Sequence, residues 1–164
     1  MLGSGVKTES DLAEIERLVD LEAFADHMIV RIWSGDYDWC GPIFLPDEDE
    51  SVNVFNSKNW YAGRQSRNGE SPFYFFTWDA EMSMGLHLLR NLTGFSSKGQ
   101  LWFFSEQRVI DFDLTQVSDF RSPAAVYDAL RRNDSFRILF GDRVQKHFFN
   151  GGGLTNRVAQ RRLE

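Results

Sequence analysis

The segment LEAFADHMIVRIWS, Leu21–Ser34, constrains the fold more than any other part of the chain. Its Leu21, Phe24, Met28, Ile29, Val30, Ile32 and Trp33 leave almost no polar side at helical spacing. A helix that is apolar nearly all round belongs in the middle of a domain. Asp20 is placed to cap it, as a simple cap, because Ala23 stands where a capping box needs glutamate or glutamine. Gly35 is placed to end it. Upstream, Leu12, Ile15, Leu18 and Val19 predict one apolar face on a helical stretch that begins at Asp11. Residues 1–10 are small and polar and read as a loose terminus.

With 164 residues the chain is one domain long. Roughly two-thirds of its unfolded surface is buried at that size. Its 15 Phe, 5 Trp and 4 Tyr point to a packed core rather than disorder. A net charge of −6 argues against a nucleic-acid surface, which needs a basic field. No apolar run is long enough to cross a bilayer and no targeting pattern is evident, so a membrane partner is not expected and the compartment stays open. The single cysteine, Cys40, excludes an internal disulfide and a cysteine zinc site. His27 and His87 read as packing or surface residues, and His147 as a structural histidine in an apolar helix.

Residues 35–57 form a long irregular connection that carries the acid run Asp47-Glu48-Asp49-Glu50, most simply a solvated loop. A hairpin follows, with strands over 60–65 and 73–78 and a turn through Asn68-Gly69. Two short extended runs are expected at 101–104 and 109–112. Ser122-Pro123 starts a helix to about Arg132, and Asp134 is the expected cap of another to about Asn150. The apolar face of that last helix is read as Phe136, Leu139, Phe140, Val144, Phe148 and Phe149. Gly151-Gly152-Gly153 stops it, and Thr155 caps a short arginine-rich helix. The fold class is α+β, mostly helical.

The hairpin ends in Trp78-Asp79-Ala80-Glu81. Asp79 and Glu81 have the same strand parity and can offer oxygens on one side to a hard cation. Asn59 opens the partner strand at the same end, and its amide oxygen is a suitable further ligand. Asp36 and Asp38 can approach from the loop after the apolar helix. The alternative is that strand ends carry acids routinely, and that Asp79 caps the segment behind it.

The chain resembles the CotH kinase-like family, named from spore coat protein H. The pieces are Leu21–Met28, similar to "dnladyM"; Ser34-Gly35-Asp36-Tyr37-Asp38, similar to "GNxD"; and Asn59-Trp60-Tyr61-Ala62, similar to "NNWYA". Phe75–Glu81 resembles "FFxWDAE", and Phe136–Gly152 resembles "FRxxFADRVQKHFFNGG". Together they span about residues 18–155 in order. The resemblance implies a protein-kinase-like C-lobe, with the hairpin carrying the metal-site residues, that transfers phosphoryl groups from ATP. It implies Asp38 as the catalytic acid, because the family pattern puts that aspartate two residues after the position held here by Asp36. It implies Asn59 and Asp79 as holders of Mg²⁺ or Mn²⁺ with ATP, Glu81 as a second acid, and a protein as the possible substrate. The order Asp, Asn, Asp is also that of ordinary kinases.

The sequence has no G-x-G-x-x-G cover, and none of its lysines (Lys7, Lys58, Lys98 and Lys146) sits in a strand ahead of Asp38. The expectation is therefore the metal-binding half of an atypical phosphotransferase, with a homodimer possible through the surface that a nucleotide-covering lobe would occupy. The alternative is a catalytically silent structural or interaction module that keeps the family core.

Overall fold

The computed structural model describes residues 5–36, 39, 59–65, 71–80, 83 and 122–162. The expected runs at 101–104 and 109–112, the hairpin turn at 66–70, and Cys40 and His87 lie outside these. The described elements are α1 (Glu9–Glu16), α2 (Leu21–Ser34), β1 (Trp60–Gly63), β2 (Tyr74–Thr77), α3 (Pro123–Leu130), α4 (Asp134–Phe148) and α5 (Asn156–Arg161). β1 and β2 pair as an antiparallel hairpin, so the class is α+β. No helix among the described residues is long and apolar enough to cross a membrane.

The chain divides into two compact units. The first contains Met1–Ile29, Ala62–Phe75 and Ala129–Glu164. Its core is built on the first half of α2. Phe24, Ala25 and Met28 are fully buried, joined by Val6, Leu12, Ile15, Leu130 and Phe136. Side chains the size of Phe24 and Met28 each contribute about 1.5–3 kcal/mol on burial. Phe75 of β2 closes edge-on against Phe24, with ring centroids 5.1 Å apart, and lies 6.0 Å from the buried His27 ring. Strand alternation leaves Tyr74, its neighbour, exposed.

α2 begins as expected: Asp20 Oδ1 accepts from the Ala23 backbone N–H at 2.9 Å. The same carboxylate pushes the exposed Tyr74 phenol above its ordinary pKa. Between α1 and α2 the backbone is extended and bridges Phe73, with Phe73 N–H donating to Leu18 O (2.8 Å) and Asp20 N–H to Phe73 O (3.1 Å). This corrects the expected apolar face. α1 ends at Glu16, so Leu18 falls in the connection and is 53% exposed, while Val19 is turned into the core by the bridge.

The expected loose terminus is packed from Gly5 onward. Val6 is fully buried and its N–H bonds Ala129 O at 3.1 Å. α1 starts before Asp11, at Glu9, because Thr8 and Asp11 form a reciprocal capping box.

α4 is capped by Asn133, not Asp134. Asn133 Oδ1 accepts from Phe136 N–H at 3.0 Å, and Asn133 is almost fully buried. A neutral amide costs less at a buried cap than a carboxylate. Asp134 sits instead in the exposed first turn, where its charge suits the helix dipole. The helix stops at Phe148, and Phe149 is extended, outside the helix and 59% exposed, so it does not share the apolar face. Asn150 and Gly151 then take left-handed conformations. A Cβ on Gly152 would lie 2.2 Å from Lys146 O and 2.4 Å from His147 O, so only glycine fits there. Thr155 precedes α5, but its hydroxyl donates to Gly152 O at 2.8 Å rather than capping.

α2 and α4 are joined by charge. Asp26 receives Arg143 Nε at 2.8 Å and Arg143 Nη2, while Arg143 Nη1 donates to Glu22 at 2.7 Å. His147 Nε2 lies 2.8 Å from Asp26 Oδ1, so His147 is a structural histidine with a named partner. Burial would raise the Asp26 pKa, but the Arg143 and His147 bonds outweigh it and hold the carboxyl below its usual range.

Because the folded value is the lower one, Asp26 adds stability above its unfolded value of about 3.9 and loses it as pH falls through the folded value. Asp26→Asn is expected to cost about 1–2 kcal/mol at pH 7, allowing for solvent screening. Urea denaturation should show the gap to wild type closing below about pH 4. Gly152→Ala is expected to cost roughly 2 kcal/mol or more. Gly141→Ala in the same helix, where a Cβ meets nothing within 4 Å, should gain about 0.5–1 kcal/mol. Thermal melts of the two variants check the opposite signs.

Candidate functional site

The second unit contains Val30–Tyr61 and Phe76–Asp128. Its described centre is a buried arginine. Arg31 lies in the last turn of α2 with its side chain fully buried. Gly35, with φ +66°, breaks the helix, and Asp36 N–H closes back onto Arg31 O at 3.2 Å. This turn brings the fully buried Asp36 carboxylate onto Arg31 Nη1. Trp39 is also fully buried. Its Nε1 donates to Asp36 O at 2.8 Å, and the Arg31 guanidinium lies 5.7 Å from its ring centroid, a cation–π distance.

The remaining arm of the guanidinium, Nη2, donates to the backbone carbonyl of Asn59. That carbonyl also accepts Trp78 N–H at 3.3 Å, which closes the open end of the hairpin. The residues flanking this closure are both strained. Asn59 has φ +62° and Asp79 has φ +50°. For a residue with a Cβ the left-handed region costs about 1–2 kcal/mol, least for Asn and Asp. At this end of the hairpin Tyr61 and Trp78 meet edge-on, 5.5 Å between centroids, and both stay exposed.

The predicted site residues therefore distribute as follows. Asn59 and Asp79 stand together at the mouth of the hairpin, one on each strand's end. Asp36 is tied to Asn59 through Arg31. Asp38 and Glu81 lie outside the described residues. Asp79 is exposed and makes no hydrogen bond or ion pair among the described residues, whereas the buried Asp36 carboxylate is paired with Arg31.

Sequence reading missed Arg31 and Trp39. The signal was present: one arginine in a helix otherwise read as apolar all round must be paired if it is buried, and an aspartate follows five residues later.

An amide oxygen and an exposed carboxylate are the hard donors that Mg²⁺ or Mn²⁺ takes, so this pair fits such an ion in chemistry. No group of three or more His, Cys, Asp or Glu side chains gathers among the described residues. Comparison with protein-family models, curated proteins and solved structures finds no match.

The strain is testable. Asp79→Gly is expected to leave stability unchanged or raise it by up to about 1 kcal/mol, because glycine takes positive φ without cost. Asp79→Ala should lower it by roughly 1 kcal/mol. Paired thermal melts decide this, and equal effects of the two substitutions would remove the strain from the account.

Proposed function

We propose that this chain is the metal-holding half of an atypical protein-kinase-like phosphotransferase that uses ATP. The reading rests on the resemblance to the CotH kinase-like pattern. One observation supports it most: Asn59 and Asp79, two residues the pattern assigns to the metal, are also two of the three non-glycine residues in left-handed conformation among the described residues, and the same backbone closure joins them. Backbone strain is retained where the surroundings enforce it, and functional sites are where it gathers.

In this reading Asn59, Asp79 and Glu81 hold Mg²⁺ or Mn²⁺ through oxygen. The bound ion supplies neutralisation of the charge on the ATP phosphates. Asp38 orients the acceptor hydroxyl and takes its proton. Asp36 is unsuited to that task, because its carboxylate is buried and neutralised by Arg31. Phosphoryl transfer asks the protein mainly for positioning and electrostatic stabilisation. The glycine-rich cover and the phosphate-contacting lysine that complete such sites have no counterpart in this sequence, so a second set of residues must supply them.

The test is calorimetric titration of Mn²⁺–ATP into the chain and into Asp79→Asn. Binding by the wild type and at least tenfold weaker binding by the variant is the expected outcome. Equal affinities, or no binding to either, would sink the reading.

A further inference from the structure

We infer that Arg31 is the positioning residue of this site: it holds residue 59 in the left-handed conformation at the hairpin mouth, where its amide serves as a metal ligand. The inference rests on the proposed metal-holding role of Asn59 and Asp79. It goes beyond the resemblance, which assigns nothing to Arg31.

Three observations carry it. The conformation of Asn59, φ +62°, is one that its surroundings must enforce. A carbonyl oxygen has two lone pairs, and that of Asn59 accepts two donors, Arg31 Nη2 and Trp78 N–H. The strand thus fixes it from one side and the helix from the other. Finally, Arg31 reaches it while fully buried, stacked near Trp39 and paired with Asp36, so the donor is itself immobilised.

The chemistry of the two side chains fits the task. A guanidinium presents several donors in a rigid fork, so it can bond the Asp36 carboxylate and the Asn59 carbonyl at once, and a lysine ammonium on a flexible stem does this poorly. Asp36 also cancels the charge. An unpaired cation beside Asn59 would oppose a divalent ion, whereas the Arg31–Asp36 pair is neutral overall.

A buried ion pair that serves only the fold behaves differently from one that positions a ligand. Replacing both members by apolar residues is often neutral or stabilising for the fold. Loss of a group that orients a metal ligand typically costs about 10–100-fold in metal affinity. The experiment uses wild type, Arg31→Lys and the double variant Arg31→Met with Asp36→Leu. Each is melted, titrated with Mn²⁺–ATP, and followed by hydrogen exchange at the Trp78 amide.

The expected result is a folded Arg31→Lys that binds about 10–100-fold more weakly and exchanges the Trp78 amide faster. The double variant, with its fold preserved, should show the same loss. If it does not fold, Arg31→Lys decides alone. Wild-type affinity in either folded variant, or unchanged Trp78 exchange in Arg31→Lys, overturns the inference and leaves the site reading standing. No binding by the wild type overturns the site reading itself, and the inference with it.

Discussion

A charge drawn out of water on a largely apolar helix needs a partner, and α2 has two of this kind, the partly buried Asp26 and the fully buried Arg31. Asp26 is met by Arg143 and His147 of α4. Arg31 is met by Asp36 and the Asn59 carbonyl. Each pairing dictates what surrounds it. The first fixes which face of α4 turns toward α2, more firmly than apolar matching does, since Phe136 is the one buried hydrophobic side chain in α4. The second turns Asp36 back onto the helix end and ties Arg31 to residue 59 at the mouth of the hairpin. Unpaired, the fully buried Arg31 would cost far more than one lost contact between apolar side chains.

What was legible in the sequence was mostly local. Asp20 before an apolar run, Gly35 after it, Ser122-Pro123 and the hairpin strands all act within a few residues, so composition and spacing reveal them. The failures came where distant segments decide. Leu18 and Val19 are both apolar and both fit the helical pattern, but the bridge to Phe73 turns one out and the other in. Asn133 and Asp134 are equally good caps by type, and only the burial of the first selects the amide. Phe149 continues the apolar pattern of α4, but the helix ends one residue before it.

The site was legible in part for the same reason. Asn59 and Asp79 stood out because a hairpin places its two open ends side by side, which is a consequence of strand register alone. Arg31 did not, because nothing within the helix tells whether an arginine in an apolar run points to water or to a buried acid. Its pairing depends on Gly35 reversing the chain and on a contact with residue 59. Asp36 and Asp38 look alike in the sequence for the same reason, since the pairing of Asp36 with Arg31 is visible only in three dimensions.

Gly152 bears on how variation in such chains is to be read. It sits under the carbonyls of Lys146 and His147 with no room for a methyl group, and its own carbonyl takes the Thr155 hydroxyl. Among related sequences this glycine should be invariant, as firmly as any ligand of a reaction centre. The cause is the tight path of the backbone as it leaves α4, with no reacting group involved. Invariance by itself would therefore mark Gly152 as a position the backbone requires, and would say nothing of chemistry there.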